Sequence, residues 1–223
     1  MYSILFSKIS DVSEEHLNKC KNFIKISKLA IFPWTFASEN MPDLHNDFFE
    51  KGGRHFEKYI TQMNMLGISS DKLLSINPYQ TNRKDLIKIL QNCDGIFIPG
   101  GNPEMFMTIA IRLNVMDLFT TYSKTIIGES AGSVLQFPLY GLPEQNNFYK
   151  CNSFYNGFGA IKCDFSIDVH TQDSTDYLNN LNLLASSKNI KILTIPNESC
   201  LIINRKNLDI VKLGKINTIY PHN

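Results

Sequence analysis

A serine in the middle of the chain has the surroundings of a catalytic nucleophile. Ser130 lies between Gly128 and Gly132 in a G-x-S-x-G pattern that directly follows an apolar run at residues 125–127. Glycines at these positions let a strand bend sharply into a helix, with the serine in a strained conformation at the tip of the turn. The N–H of Ala131, the first free donor of that helix, would then point at a forming oxyanion. An ordinary strand-to-helix turn is the alternative.

His170 is the favoured general base for this serine. A serine hydroxyl is a poor nucleophile at neutral pH and needs a base within hydrogen-bond reach. His170 ends the apolar segment 165–170, whereas the other histidines lie on an early helix, in polar segments or near the last residue, namely His16, His45, His55 and His222. A histidine at a strand end, downstream of such a turn, suits this role.

Three carboxylates are candidates for the residue that orients His170. Glu144 is favoured, because it follows Ser130 in a loop, within residues 138–145, that could fold back over the site. Asp168 shares a strand face with His170, since residues two apart point to the same side. Glu198 lies in the turn 196–199. Glu129 points elsewhere on such a turn and is a candidate for orienting the pocket or contacting a substrate amine.

A glycine pair supplies the second candidate element of an oxyanion hole. Gly101 and its neighbour Gly100 follow an apolar strand at residues 94–99 and precede Asn102 and Pro103. Glycines allow a backbone N–H to approach a ligand closely, and proline suits the first turn of a helix. In a parallel sheet this loop and the serine turn lie at the same edge, so the N–H groups of Gly101 and Ala131 would face one oxyanion. Asn102 is a candidate substrate-binding residue, and a purely steric need for glycine is the alternative.

The elements that must position these residues follow an alternating pattern. Strands are predicted at residues 2–6, 28–33, 72–76, 94–99 and 165–170, and helices at or near 11–15, 47–66, 82–92, 104–113 and 176–186. This alternation predicts an α/β fold of three layers, with a doubly wound, mainly parallel sheet. Three short β runs at 190–195, 200–204 and 208–213 predict C-terminal hairpins. Without a repeat or linker, residues 1–223 are expected to form a single domain.

The composition limits the classes of partner. The chain has 223 residues, of which 43% are hydrophobic, and carries 22 Lys and Arg against 21 Asp and Glu. Nucleic-acid or anionic-membrane binding, which needs a basic excess, is not expected. No membrane span or signal peptide is recognisable, so a cytoplasmic location is expected. The five cysteines lack C-x-x-C spacing and are expected to be reduced thiols, with no metal and no cofactor. A homodimer is left open.

Three motifs together resemble the dipeptidase E and cyanophycinase family of serine peptidases. They are Pro99-Gly100-Gly101-Asn102, the stretch from Gly128 to Ser133, and Ile167-Asp168-Val169-His170. The resemblance spans about residues 94–203 and implies a flavodoxin-like, class I glutamine amidotransferase-like fold. It also implies Ser130 as nucleophile, His170 as base, and Gly101 with Ala131 as oxyanion donors. The family's acidic residue in the loop after the serine turn falls nearest Glu144.

The chain departs from that family directly after the histidine. Members that act on acidic substrates carry arginines there, whereas residues 171–187 contain neither Arg nor Lys. Bidentate recognition of a substrate carboxylate calls for a guanidinium. Aspartyl-dipeptide and cyanophycin specificity are therefore not expected.

The favoured function is a serine hydrolase that cleaves small peptides or amides through an acyl-enzyme. One alternative is an α/β-hydrolase-type esterase, although its histidine usually lies closer to the C-terminus, and three β runs follow His170 here. Another is a non-catalytic binding or regulatory protein with the same fold. A glutamine amidotransferase is disfavoured, because a cysteine would stand in place of Ser130.

Overall fold

The computed structural model describes residues 1–36, 45–144 and 152–221. Its strands are β1 (Tyr2–Phe6), β2 (Leu29–Ile31), β3 (Leu73–Ser75), β4 (Gly95–Ile98), β5 (Thr125–Glu129), β6 (Leu139–Leu142), β7 (Ser153–Asn156), β8 (Phe165–Val169), β9 (Lys191–Ile195), β10 (Cys200–Asn204), β11 (Ile210–Leu213) and β12 (Asn217–Ile219). Its helices are α1 (Glu14–Lys21), α2 (His45–Phe49), α3 (Arg54–Met65), α4 (Arg83–Asn92), α5 (Pro103–Arg112), α6 (Met116–Thr120), α7 (Ala131–Val134) and α8 (Thr175–Lys188).

A seven-stranded sheet forms the centre of the fold, in the order β11-β10-β1-β5-β4-β2-β3. The five strands from β1 to β3 in that order are parallel to their neighbours, and β10 and β11 add an antiparallel edge. The predicted mainly parallel α/β sheet is confirmed. Because β2 runs parallel to both β3 and β4, the antiparallel second strand of an α/β-hydrolase is not present at this position.

Alternate residues of the central strands enter two separate cores, because successive side chains of a strand point to opposite faces. Ile96 and Ile98 of β4 pack with residues of α4 and α5, whereas Phe97 packs with residues of α1 and α3. Helices therefore cover both faces of the sheet, as the sequence predicts. The parallel strands end at a common edge, which is where the serine turn and the glycine pair lie.

Two smaller sheets differ from the prediction for the C-terminal part of the chain. β10 and β11 form the predicted hairpin, but β9 pairs in parallel with β8 and antiparallel with β12, a strand that the sequence did not reveal. Close spacing along the chain favours hairpins, yet the turn after β9 carries the chain from one sheet to another. The predicted loop at 138–145 instead contains β6, which pairs with β7.

The helix after the serine turn is fastened to two central strands. The hydroxyl of Ser133 accepts a hydrogen bond from the N–H of Phe6 at 3.0 Å and donates one to its carbonyl at 2.8 Å, with both residues fully buried. A Cβ atom at Gly132 would lie 1.9 Å from the carbonyl oxygen of Ile98. Only glycine therefore allows α7 to approach β4 this closely.

We expect Ser133→Ala to lower the free energy of unfolding by about 1–3 kcal/mol, because the buried N–H of Phe6 loses this acceptor. Chemical denaturation of both proteins measures the difference. Ser10→Ala removes an exposed serine and is the matched control, with an expected change within about 0.5 kcal/mol. Equal changes in the two variants would show that the Ser133 contacts do not stabilise the fold.

Candidate active site

Ser130 lies at the turn between β5 and α7 in a strained backbone conformation. Its φ is 51° and its ψ is −112°, a region that residues other than glycine rarely adopt. The N–H of Ser130 donates to the carbonyl of Phe6 at 2.8 Å, which holds the turn against the end of β1. The predicted strand, turn and helix are all present around the candidate nucleophile.

His170 reaches Ser130 from the end of β8. Its Nε2 atom lies 2.8 Å from the Oγ of Ser130. The backbone of His170 has a positive φ of 58°, and its N–H donates to the hydroxyl oxygen of Ser7 at 3.1 Å. The Ser7 hydroxyl in turn donates to the carbonyl of Ile195. Ser7 therefore ties together the ends of β1, β8 and β9 and fixes the backbone from which the imidazole projects.

Asn197 occupies the position behind the imidazole ring. Its Oδ1 atom lies 2.6 Å from the Nδ1 of His170. An amide oxygen only accepts hydrogen bonds, so in this orientation Nδ1 carries the proton and the lone pair of Nε2 faces the Ser130 hydroxyl. Asn197 was not among the candidates from the sequence, all of which were carboxylates. The signal that could have pointed to it is its position beside Glu198, in a turn that directly follows an apolar strand.

Glu144 was predicted to orient His170, but it does not lie at the Nδ1 atom of the ring. Its side chain is exposed, and its N–H donates to the Oδ1 of Asn152 at 2.8 Å. The segment before it forms β6 and does not fold back as a loop, so the position at Nδ1 is taken by Asn197 instead. Glu198 is also exposed, next to the residue that does contact the ring.

Glu129 is buried on the side of the sheet that faces α3. Its Oε1 atom accepts hydrogen bonds from the N–H of Ile9 at 3.0 Å and from the Nε2 of Gln62 at 2.7 Å. It is not among the residues that line the pocket at Ser130. These contacts give Glu129 a role in packing the turn, in contrast to the predicted contact with a substrate amine.

A small pocket of about 100 Å³ opens beside Ser130 and His170. It is also lined by Gly101, Pro103, Ala131, Val134, Gly141, Leu142, Pro143, Asp168 and Val169. The two expected oxyanion donors thus border the same pocket as the serine. Gly101 has a φ of 131°, and a Cβ there would lie 2.8 Å from the carbonyl oxygen of Thr35, so the turn requires glycine.

Asn102 caps the helix that follows this glycine pair. Its Oδ1 atom accepts a hydrogen bond from the N–H of Glu104 at 2.9 Å, and its own N–H donates to the carbonyl of Thr35. Side-chain capping of this kind satisfies a free donor in the first turn of a helix. The structure therefore explains Asn102 by the start of α5, and its substrate-binding role stays a prediction.

Asp168 is a buried carboxyl in the wall of the pocket and is 3% exposed. Its Oδ1 atom accepts a hydrogen bond from the hydroxyl of Tyr177 at 2.8 Å, and its Oδ2 atom accepts one from the hydroxyl of Thr171 at 2.6 Å. Burial raises the pKa of Asp168 to about 7, although both hydroxyl contacts act in the opposite direction. Asp168 thus lines the same pocket as Ser130 and His170, while the ring nitrogen Nδ1 of His170 is hydrogen-bonded to Asn197.

Within residues 1–36, 45–144 and 152–221, no group of three or more His, Cys, Asp or Glu side chains is arranged to hold a metal ion. Cys20, Cys93, Cys163 and Cys200 are free thiols, and Cys151 lies outside the described residues. No helix in the same ranges has the length and apolar character needed to cross a membrane.

Comparisons with known proteins agree with the fold and the motifs. The model of Peptidase family S51 matches residues 45–211. A crystal structure of a protein assigned as a peptidase E from Listeria monocytogenes EGD-e has a TM-score of 0.59 and 17% identity, with 99% of this chain and 98% of that chain covered. A crystal structure of a peptidase from an acI-B1 Actinobacterium has a TM-score of 0.61 and 14% identity, with 100% and 95% covered.

These two structures establish a shared fold, since their sequence identity is low. No match was found among curated proteins. The family model, in contrast, covers most of the chain and confirms the resemblance that the three motifs indicated. The chain therefore belongs to peptidase family S51 and is a serine-type peptidase.

Proposed function

We propose that this peptidase cleaves amide bonds of small peptides through an acyl-enzyme on Ser130. The observation that carries the proposal is the 2.8 Å contact between the Oγ of Ser130 and the Nε2 of His170. This is the geometry of a nucleophile with its general base. The small volume of the pocket beside Ser130 and His170 favours a short substrate segment at the scissile bond.

The proposed reaction follows the serine peptidase scheme. The Oγ of Ser130 attacks the carbonyl carbon while its proton passes to Nε2 of His170, and the N–H groups of Gly101 and Ala131 donate to the oxyanion. The C–N bond then breaks, and the imidazolium returns the proton to the leaving amine. Water attacks the ester with His170 again as base, which releases the acid and restores Ser130.

Asn197 has the role of a positioning residue in this scheme. Its 2.6 Å contact with Nδ1 selects the tautomer in which Nε2 can accept the proton from Ser130. An amide is neutral, so it does not supply the negative charge with which a carboxylate stabilises the imidazolium. Asn197 can therefore hold the imidazole in the required orientation, but it stabilises the imidazolium less than the carboxylate of a Ser-His-Asp triad does.

The other predictions from the sequence differ in how well they are supported. The parallel β2 removes the support for an α/β-hydrolase-type esterase, and the family match argues against a non-catalytic protein. A peptide substrate follows from the family. The cytoplasmic location, the homodimer and the single domain stay predictions.

A fluorophosphonate probe tests the nucleophile. We expect the wild type to be labelled and Ser130→Ala to remain unlabelled, because the probe reacts with an activated serine hydroxyl. His170→Ala should slow labelling by about 100-fold or more, as expected for loss of a positioned general base. Ser10→Ala is the matched serine control and should be labelled like the wild type. Labelling of Ser130→Ala at the wild-type rate would refute the assignment.

Two substitutions at Asn197 test how the imidazole is held. We expect Asn197→Ala to lower kcat by about 100-fold with little change in KM, because the ring loses its orientation while the pocket stays intact. Asn197→Asp should keep or raise kcat and move the acidic limb of the pH–rate profile to higher pH, since the added negative charge favours the protonated imidazole. Steady-state kinetics across pH measures both.

Glu144→Gln is the comparison that separates the two candidates for this position. If Asn197 orients His170, the loss of kcat in Glu144→Gln is much smaller than that in Asn197→Ala. A large loss in Glu144→Gln together with a wild-type kcat in Asn197→Ala would return the role to Glu144.

A further inference from the structure

We propose that Asp168 makes this peptidase selective for substrates that carry an ammonium group on the residue whose carbonyl is attacked. The proposal deepens the proposed function and rests on it, because it concerns the substrate that Ser130 would attack. An ammonium on the substrate can form an ion pair with the carboxylate of Asp168 in the pocket wall. The ammonium could be a lysine-type side chain or a free α-amino group.

The placement of Asp168 follows from the way β8 packs beside β6. The hydroxyl of Ser166, two residues earlier in β8, donates to the carbonyl of Leu139 in β6 at 3.1 Å. Residues two apart in a strand point to the same face, so Asp168 also lies on the β6 side. Gly141, Leu142 and Pro143 at the end of β6 line the pocket together with Asp168. The carboxyl thus borders the space in which the reacting residue would lie.

The charges around the pocket favour a cation. Asp168 is the one carboxyl among its lining residues, and none of them is Lys or Arg. The hydrogen-bond donors to Asp168 that the described residues provide are neutral hydroxyls. A buried carboxylate without a positive partner is costly, so an ammonium that arrives with the substrate would supply the missing charge. A substrate carboxylate would meet repulsion, in agreement with the lack of Arg and Lys at residues 171–187.

The existing contacts leave acceptor capacity on the Asp168 carboxylate. Tyr177 donates to Oδ1 of Asp168 and Thr171 donates to Oδ2. An ionised carboxyl has about four acceptor positions, so each oxygen can accept a further hydrogen bond. A purely structural Asp168 would tie β8 to α8 through Tyr177 without any influence on the choice of substrate.

Two pairs of fluorogenic 4-methylcoumaryl amides test the proposal. The first pair is Nα-acetyl-lysine against Nα-acetyl-norleucine, which differ in the side-chain ammonium. The second is alanine with a free amino group against N-acetyl-alanine. We expect kcat/KM of the wild type to favour the ammonium-bearing member of at least one pair by about tenfold or more, as expected for a hydrogen bond to a charged group. The pair that shows the preference identifies which ammonium Asp168 recognises.

Two variants separate recognition from structure. Asp168→Asn is nearly isosteric but neutral and should reduce the preference to about twofold or less, since the amide cannot form an ion pair with the ammonium. Tyr177→Phe removes one hydroxyl donor while the carboxyl remains, so it should keep the preference. Where a substrate is not turned over, its protection of Ser130 against fluorophosphonate labelling measures relative binding, and the same preference within each pair is expected in the binding constants.

The wild type alone can overturn the proposal, whether or not the variants fold. Equal kcat/KM values of the wild type within both substrate pairs would refute the proposal. A preference that Asp168→Asn retains would also refute it. Loss of the preference in Tyr177→Phe to the same extent as in Asp168→Asn would assign Asp168 a structural role. A wild type that the probe does not label would instead refute the proposed function, which is a distinguishable result.

Discussion

The strained backbone at Ser130 is the constraint on which the rest of the site depends. Holding the backbone of a non-glycine residue in this conformation costs of the order of 1–3 kcal/mol. Contacts with neighbouring strands keep Ser130 in place. The N–H of Ser130 and the hydroxyl of Ser133 both bind the backbone of Phe6. Gly132 meanwhile lets α7 lie directly against β4. The turn is therefore held by the central sheet, and the serine hydroxyl has a fixed position at its edge.

His170 reaches this fixed serine from a different sheet. It directly follows β8, which pairs with β9 and not with the central strands. Ser7 joins the two sheets, because its hydroxyl contacts both the N–H of His170 and the carbonyl of Ile195. Asn197 follows β9 and contacts the ring from behind. The pairing of β8 with β9 thus places His170 and Asn197 side by side.

The groups around Ser130 and His170 set the electrostatics of the candidate site. The residue in contact with Nδ1 of His170 is a neutral amide, and the pocket wall carries the carboxyl of Asp168 without Lys or Arg. A neutral third residue preserves the tautomer of the imidazole but stabilises its charged form less than a carboxylate does.

The sequence by itself determined the parts of the site that depend on local backbone geometry. The serine turn, the glycine pair at Gly101 and the strand that ends in His170 were each predictable, because glycine spacing and apolar alternation specify a conformation within a few residues. The parallel sheet followed from the same alternation of strands and helices.

Only the tertiary structure decided which distant side chains meet. It placed Asn197 behind His170 and left Glu144 exposed, since β6 is a strand and β9 joins β8. It also turned Glu129 toward α3 and Asp168 toward the pocket. These outcomes depend on how separate sheets pack and on the pairing of strands that are far apart in the chain. The residue pattern of a single segment does not contain this information.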